Sequence, residues 1–331
     1  MYKTNKSIAV VVLTWNDWEN TIKCLKSIFL NNYKFFDLIL VDNNSNKFHR
    51  SKIQNWIKLN KKKIKINKIQ KVQHNQVTKN KKFKNLFYIE SNRKKKNRWA
   101  LNLGCTAGLN LGYKFALKNK YDLIARVDCD FTLEKNYFHK MLSFMQLNNS
   151  IACSPRIMNA HESKKNTLVW FGFKKTWSYL KFQGTMNLNK RRVNKNQIKN
   201  ENIKNTDCVC GCCSIYLSSA LKKSGLGDED FFFGPEDMEL SFRLKKHGLL
   251  HVNHNVYAHH RVASSIKASG LTQRKYYETI GFLLLIKKIG TLSDKIFGYL
   301  FFLFRLPYQL IKKNYGYLLG CYDYFVKRIH G

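Results

Sequence analysis

Two aspartates separated by one residue, Asp128 and Asp130, follow an apolar segment of the sequence. In an extended strand side chains alternate between the two faces, so both carboxylates would lie on one face, about 7 Å apart along the chain. Such a pair can hold Mg²⁺ or Mn²⁺ against the phosphate oxygens of a substrate. The alternative is that two aspartates at the end of a strand only form a turn or cap a helix.

A second acidic cluster lies in residues 228–243, DEDFFFGPEDMELSFR, where six of the chain's 21 acidic residues fall within twelve positions. Pro235 suits the first turn of a helix, and a helix N-terminus favours acidic side chains, so an acidic cap is one interpretation. Because acidic residues are few in this chain, their concentration favours a role in cation binding or proton transfer.

The elements that must position these carboxylates follow from apolar periodicity. Continuous apolar segments alternate with helical spacing and predict a parallel sheet buried on both faces, whose ligands bind beyond the carboxyl ends of the strands. The first two strands end at Thr14 and Asp42. We expect strands over 8–13, 38–41, 86–89, 121–127, 151–155, 169–173, 208–217 and 249–257, with helices over 18–29, 107–117 and 236–246.

Composition narrows the function classes. The chain has 331 residues, 44% of them hydrophobic, which excludes a largely disordered protein. Its net charge of +38 predicts an acidic neighbour: nucleic acid, an anionic membrane surface or a phosphorylated small molecule. The apolar stretch 8–13 is too short for a cleavable signal, so we expect the mature chain to start near Met1. No apolar segment reaches the roughly 20 residues that cross a bilayer.

Nine cysteines, four of them clustered in CVCGCC at 208–213, raise the question of a zinc site. Paired thiolate ligands of zinc are usually separated by at least two residues, whereas a strand would align Cys208, Cys210 and Cys212 on one face. We therefore predict buried structural cysteines. The odd number and the clustering also favour a reducing compartment.

Five motifs in order carry a family resemblance: VVLTWNDWENTIKCLKSI, ILVDNNS, NLGCTAGLNLG, VDCD, and GDEDFFFGPEDMELSFRLKKHG followed by VYAHHRVASS. Over roughly residues 8–265 the chain resembles the glycosyltransferase family 2 enzymes, which have the GT-A fold. The resemblance implies an α/β, Rossmann-like domain with a mixed, mainly parallel sheet. We expect a glycosyltransferase domain over 1–265, with a basic, loop-rich insertion at 58–98, and a helical C-terminal segment over 266–331.

The resemblance also implies the donor site. By motif position, the nucleotide base would lie at Thr14 and Asp42, and the ribose and diphosphate would lie along the next motif and the first aspartate of the pair: Asn102, Gly104, Gly108, Asn110 and Asp128. Leu109 departs from the family, which usually has a small residue there. A divalent ion, Mn²⁺ or Mg²⁺, would be held by Asp130 with Asp128 and His260, and His259 is the alternative histidine.

The implied chemistry is an inverting transfer from a nucleotide-diphosphate sugar to a hydroxyl group. Asp237 would be the general base that deprotonates the attacking hydroxyl, with Glu236 and Glu239 supporting the acceptor site. A UDP- or dTDP-linked donor and a glycan or lipid-linked acceptor are the expected substrates. Similar family members build surface polysaccharides, and some of them transfer rhamnose.

The last part of the chain, from Thr272, combines Phe, Leu and Tyr with Lys and Arg at helical spacing. Such helices are predicted to lie in the interface of an anionic membrane, here on its cytoplasmic side. The alternative is that they pack on the transferase domain or on a second copy of it. Likewise, the Lys- and Asn-rich residues 58–98 are either a solvated loop or a site for an acidic partner.

Two other function classes fit part of the sequence. A basic nucleic-acid-binding protein would account for the net charge and for aromatic residues near basic runs, namely Trp99, Trp170, Phe171 and Trp177. However, the carboxylates converge on strand ends, where they would repel a phosphate backbone. A catalytically inactive scaffold of the same fold is the third hypothesis, and the intact Asp128, Asp130 and Asp237 count against it.

Overall fold

A computed structural model describes residues 5–78, 82–92, 101–160, 168–170, 173–175, 182–184, 205–261 and 270–326. The strands are β1 (Ile8–Thr14), β2 (Phe36–Asn43), β3 (Ile69–Lys71), β4 (Leu86–Ser91), β5 (Leu123–Val127), β6 (Phe131–Leu133), β7 (Ser150–Asn159), β8 (Leu168–Trp170), β9 (Phe173–Lys175), β10 (Phe182–Gly184), β11 (Cys213–Leu217) and β12 (Leu249–His260). The helices are α1 (Trp18–Phe29), α2 (Lys47–Asn60), α3 (Cys105–Lys118), α4 (Tyr137–Leu147), α5 (Ser218–Ser224), α6 (Glu236–Lys245), α7 (Leu271–Ile289), α8 (Leu292–Phe304), α9 (Leu306–Ile311) and α10 (Tyr315–Phe325).

The centre of the molecule is one mixed sheet with the strand order β3-β4-β2-β1-β5-β11-β7-β12-β6, and β8 pairs with β7. Five neighbouring strands of this sheet run parallel to one another, namely β3, β4, β2, β1 and β5. β11 is antiparallel to both of its neighbours, β12 is parallel to β7, and β6 is antiparallel to β12. The predicted β-α-β opening and the mixed, mainly parallel sheet are confirmed.

Alternating side chains of the central strands supply two hydrophobic cores, one on each face of the sheet. Val10 and Leu38 pack on the face covered by α1, α2 and α4, whereas Val11 and Ile39 pack on the face covered by α3. β1 and β2 are buried on both faces, which explains why they read as continuous apolar runs rather than as alternating patterns.

Residues 58–98 contain more regular structure than the solvated loop that the sequence predicts. α2 continues to Asn60, and β3 extends the sheet by pairing with β4. Ile64, Ile66 and Val72 are only 5% exposed, because these scattered apolar side chains pack against the edge of the sheet. Because many Lys and Asn residues lie between these apolar residues, the composition of the segment predicts a solvated loop and does not reveal the buried positions.

Of two further strand predictions, one needs correction. The strand predicted over 208–217 begins only at Cys213, so the cysteines before it are not aligned on one face. The strand predicted over 169–173 falls partly outside the described residues, which show β8 over Leu168–Trp170 and β9 over Phe173–Lys175. Trp99, Phe171, Trp177 and the side chain of Trp170, on which the nucleic-acid hypothesis depended, lie outside the described residues.

The C-terminal helices α7 and α10 pack against the sheet. Leu283, Tyr317 and Tyr324, from α7 and α10, belong to the same hydrophobic cluster as one face of the sheet. α7 also contacts the acidic motif so closely that a Cβ added at Gly281 would lie 1.8 Å from the carbonyl oxygen of Gly234. Among the helices in the described ranges, none has the length and apolar character needed to cross a membrane.

Candidate active site

A cavity of about 200 Å³ lies beyond the carboxyl ends of β1, β2 and β5, where the sequence predicts the ligand site. Its walls come from the ends of these strands, from the start of α3, from the acidic motif and from the first turns of α7. The lining residues are Leu13, Trp15, Asp17, Asn43, Leu101, Asn102, Gly104, Cys105, Asp128, Cys129, Asp130, Phe232, Phe233, Gln273, Arg274 and Tyr277.

Asp128 and Asp130 lie in a tight turn and not in an extended strand, which corrects the geometry predicted from alternation. β5 ends at Val127, and the backbone N–H of Phe131 donates to the carbonyl oxygen of Asp128 at 3.0 Å. The pairing of Cys213 with Val127 ends the ladder there, and the backbone N–H of Asp128 then donates to the carbonyl oxygen of Cys212. Both aspartates still line the cavity, so the turn changes their orientation but not their location.

The two candidate histidines occupy different places. Nε2 of His260 lies 3.2 Å from Oδ2 of Asp130, and its ring stacks on Phe131 with 4.4 Å between ring centroids. His259 lines a second cavity with Thr132 and Lys23, and Asp130 lies in the wall of that cavity too. The pairing of β12 with β6 sets this register, because it aligns His260 with Phe131, the residue directly after Asp130.

Asp130 and His260 offer carboxylate oxygen and imidazole nitrogen, which a divalent cation such as Mn²⁺ accepts, whereas both oxygens of Asp128 face the guanidinium of Arg126. In the ranges that the structure describes, no group of three or more His, Cys, Asp or Glu side chains is arranged to hold a metal ion alone. An ion bound here would therefore take its remaining ligands from substrate phosphates and water, which is the usual mode for such ions at phosphate sites.

Asn102 and Gly104 also lie in the cavity wall, at the start of α3. Oδ1 of Asn102 accepts from the backbone N–H of Gly104 at 2.8 Å, and Gly104 has a φ of +88°. A Cβ at Gly104 would lie 2.7 Å from the carbonyl oxygen of Phe232, to which the backbone N–H of Cys105 donates at 2.6 Å. A glycine is needed here because the backbone of the acidic motif approaches α3 so closely.

The other predicted donor residues lie behind this wall. Oγ1 of Thr14 is 2.7 Å from Oγ1 of Thr21, and a Cβ at Gly108 would meet the side chain of Leu13 at 2.7 Å. Asn110 exchanges hydrogen bonds with the backbone of Gly227. Thr14 thus joins β1 to α1, Gly108 lets α3 approach β1, and Asn110 joins α3 to the residue before the acidic motif. None of the three lines the cavity.

Asp42 is fully buried, and its carboxylate has three partners. Oδ1 accepts from the backbone N–H of Ser45 at 2.7 Å, and Oδ2 accepts from Tyr88 at 2.7 Å and from Nε of Arg50 at 3.1 Å. The next residue, Asn43, lines the cavity. The nucleotide-base role predicted for Asp42 remains a prediction, and the observed contacts fix the loop after β2.

Most carboxylates of the acidic motif bind the protein's own cations and amides. Lys288 of α7 pairs with both Asp228 and Asp230. Glu229 accepts from Asn110 and Lys114, and Glu239 forms a bidentate ion pair with Arg243. These four carboxylates make structural contacts with α3, α6 and α7, and Glu236 likewise pairs with Arg126. Of the six, Asp237 is therefore the candidate for the expected role in proton transfer.

Arg126, which was not among the predicted site residues, connects Glu236 at the start of α6 to Asp128 in the aspartate turn. Its guanidinium is 3.0 Å from Oδ1 of Asp128 and 3.2 Å from Oε1 of Glu236, and its side chain is only 5% exposed. Glu236 and Asp237 do not line the cavity themselves. The signal was available, because an arginine inside the apolar strand segment LIARV is costly to bury unless it has carboxylate partners.

Asp237 occupies the first turn of α6, where backbone amides hold both carboxylate oxygens. Oδ2 accepts from Gly211 at 3.0 Å, and Oδ1 accepts from Met238 at 2.9 Å. Burial, followed by the negative charge of Glu236, raises the pKa of Asp237 to about 6, although Arg126 and these amides lower it. A carboxylate with a pKa near neutrality is suited to accept a proton at physiological pH.

We expect Arg126→Met to destabilise the fold by about 3–5 kcal/mol, because it leaves two partly buried carboxylates without their shared cation. The free energy of unfolding in urea would measure this loss. Lys140→Met is the matched control, since Lys140 pairs with Glu134 on the surface at 3.0 Å and should change stability by less than about 1 kcal/mol. Equal losses in the two variants would contradict a central role for Arg126.

The cysteine cluster has the character of buried, protonated thiols. Cys208, Cys210 and Cys213 are buried, and all nine cysteines of the chain are free. Burial raises the pKa of the Cys208 and Cys213 thiols well above their usual range, which disfavours the thiolate that zinc binding needs. The predicted burial is observed for these three cysteines, whereas Cys212 is partly exposed.

No protein-family model and no curated protein matches the sequence. Among solved structures, the chain is similar to a crystal structure of GalNAc-T7 with UDP, GalNAc and Mn²⁺, at a TM-score of 0.56 and 13% identity over 86% of this chain and 48% of that one. It is also similar to TarS from S. aureus, at a TM-score of 0.51 and 13% identity over 88% of this chain and 41% of that one.

These two proteins are glycosyltransferases with the GT-A fold, and the predicted GT-A fold of this chain is thereby confirmed. The chain spans less than half of the length of either solved protein. At 13% identity the similarity establishes the architecture and carries no residue assignments.

Proposed function

We propose that the protein is an inverting glycosyltransferase that moves a sugar from a nucleotide-diphosphate donor to a hydroxyl group. The observation that carries the proposal is the continuous set of contacts from His260 and Asp130, through the turn to Asp128, and through Arg126 to Glu236, the neighbour of Asp237. This set joins a candidate cation site to a candidate base at the carboxyl edge of a GT-A sheet, where ligands of such sheets bind.

The donor diphosphate would lie against the aspartate turn and the start of α3. Asp130 and His260, with Asp128, would hold Mn²⁺ or Mg²⁺, and a bound ion supplies charge stabilisation for the leaving diphosphate. Phe232 and Tyr277, stacked with 4.1 Å between ring centroids, form an apolar wall of the cavity. The GalNAc-T7 structure, which contains UDP and Mn²⁺, supports a nucleotide and a divalent ion as ligands of this fold.

Asp237 would accept the proton of the acceptor hydroxyl as its oxygen attacks the anomeric carbon and the bond to the diphosphate breaks. The carboxylate is held by two backbone amides, and a pKa near 6 leaves it ionised at neutral pH. Attack from the face opposite the leaving group inverts the anomeric configuration. Glu236 supports this site through Arg126, and Glu239 supports it through Arg243.

For the substrates we propose a UDP- or dTDP-linked hexose or deoxyhexose, including rhamnose, and a glycan or lipid-linked acceptor in surface polysaccharide synthesis. The motif resemblance, WND in the first loop and ED at the start of α6, supports these finer assignments. A lipid-linked acceptor would place the enzyme on the inner face of a membrane.

A panel of UDP-, dTDP- and GDP-linked sugars tests the proposal. We expect at least one UDP- or dTDP-linked sugar to raise the thermal unfolding midpoint by several degrees when Mn²⁺ is present, and excess chelator should remove the effect. Slow release of the nucleoside diphosphate should show the same donor preference. Failure of every donor, together with tight and salt-steep binding of random nucleic acid, would favour the nucleic-acid hypothesis instead.

A further inference from the structure

Helices α8 and α9 expose a continuous apolar surface, which we call the tail face. It includes Ile296, Phe297, Phe301, Phe304, Leu310 and Ile311, whose exposed fractions range from 47% to 79%. Within α8 only Asp294 and Gly298 are buried, and within α9 only Gln309 is buried. Contiguous apolar surface of this kind is costly in water and typically marks an interaction site.

The neighbouring helices behave differently, so the tail face is not a general property of the C-terminal segment. α7 buries Leu283, Leu284 and Leu285, and α10 buries Tyr317 and Tyr324. The hydroxyl of Tyr324 also donates to the carbonyl oxygen of Leu283, which fixes α10 on α7. α7 and α10 therefore anchor the segment to the sheet and leave α8 and α9 as its outer layer.

The charges around the tail face have one sign. Lys295, Arg305, Lys312 and Lys313 lie within residues 292–313, whereas the one acidic residue of that range, Asp294, is buried and forms a capping box with Thr291. The guanidinium of Arg305 lies 5.1 Å from the ring centroid of Phe301. Cations at the edge of an apolar, aromatic surface match the headgroup layer of an anionic bilayer.

We propose that the tail face docks on an anionic membrane, with its apolar side chains inserted roughly 5–10 Å into the boundary between headgroups and acyl chains. A second copy of the chain is a poorer partner, because two such faces would bring like charges together in addition to their apolar side chains. The proposal is independent of the glycosyltransferase assignment, since none of its residues lines the cavity.

Removal of residues 293–331 would be an ambiguous test, because it also removes α10 and uncovers the core under α7. The sharper variant is Phe304→Ser with Ile311→Ser, whose side chains are 79% and 78% exposed. The matched control is Leu59→Ser with Leu147→Ser, two equally exposed apolar residues, each 83% exposed, on α2 and α4. Thermal unfolding should be unchanged in both variants.

Sedimentation of the full chain with vesicles gives the readout. We expect the wild type and the control to bind vesicles of equal parts phosphatidylglycerol and phosphatidylcholine, and the Phe304 and Ile311 variant to bind them at least about 10-fold more weakly. Pure phosphatidylcholine should bind all of them weakly. Lys312→Glu with Lys313→Glu should also weaken binding, whereas Lys222→Glu with Lys223→Glu, an exposed lysine pair on α5 and not part of the tail face, should not.

Three results would overturn the proposal. One is the absence of vesicle binding by the wild type at low salt, and another is an equal loss in the Leu59 and Leu147 control. The third is a wild-type dimer in sedimentation equilibrium that the Phe304 and Ile311 substitutions convert to a monomer, without any binding to vesicles. That result would assign the tail face to contact between two copies.

Discussion

Asp130→Ala is expected to lower metal-dependent turnover of the donor by at least about 10³-fold and to leave the fold intact. The carboxylate lies at the cavity, 3.2 Å from His260, and it belongs to neither hydrophobic core. In the proposed mechanism Asp130 would be one of the few protein ligands of a divalent ion, so its loss would remove the charge stabilisation of the leaving diphosphate. Turnover with and without Mn²⁺ measures the effect, and calorimetric titration of the nucleoside diphosphate measures the metal-dependent part of binding.

Glu134→Ala is the matched control for Asp130, because it removes a carboxylate from the end of the next strand that pairs with surface Lys140. We expect near-normal turnover and unchanged metal dependence in this variant. Full activity of the wild type in excess chelator would contradict the prediction. It would also be contradicted if turnover of Asp130→Ala required the same Mn²⁺ concentration as turnover of the wild type.

The sheet was predictable because its central strands carry their burial in their own sequence. The central residues of β1 and β2, 8–12 and 38–41, are apolar and buried on both faces, and helical spacing between the strands leaves one arrangement, a right-handed β-α-β unit. The turn at Asp128 was not predictable in the same way. The point at which β5 ends depends on its pairing with β11, almost 90 residues later, and no local pattern encodes that contact.

In the candidate site, too, nearby sequence predicted some features, whereas others depend on residues that are far apart in the chain. Residue type and spacing identified Asp128, Asp130 and Asp237, but they could not show that Lys288 binds the first carboxylates of the acidic motif from a helix 60 residues away. The first turns of α7 also line the cavity, although the composition of the sequence predicted that this helix belongs to a separate C-terminal segment. Tertiary packing decides which side chain each carboxylate contacts. A sequence motif therefore identifies carboxylates, but it does not show which of them form structural ion pairs and which take part in catalysis.

Asp237→Asn is expected to keep donor binding and to reduce turnover by roughly 10²-fold or more, because the amide keeps the shape of the side chain and loses its basicity. Since the pKa of Asp237 is raised to about 6, wild-type turnover should fall as the pH drops below 6. The charged and titratable groups around it are Glu236, Arg126 and Cys208. This fall of turnover at low pH is the acid limb of the pH profile, and the residual turnover of the variant should not show it.

The same pKa predicts the pH dependence of stability. The folded state holds the proton of Asp237 more tightly than the unfolded state, whose aspartate has its ordinary pKa near 3.8. The carboxyl group therefore contributes stability at low pH, and this contribution is lost as the pH rises through about 6. The free energy of unfolding of the wild type, relative to Asp237→Asn, should thus be lower at pH 7 than at pH 5.

Asp207→Asn is the matched control for Asp237, since it removes a carboxylate that pairs with Lys245 at the other end of α6. It should leave turnover, the acid limb and the pH dependence of unfolding unchanged. Near-normal turnover of Asp237→Asn would move the base to another group, and the neighbouring Glu236 is the first candidate. A reduced turnover with an unchanged acid limb would assign that limb to a group other than Asp237 and make Asp237 a positioning residue.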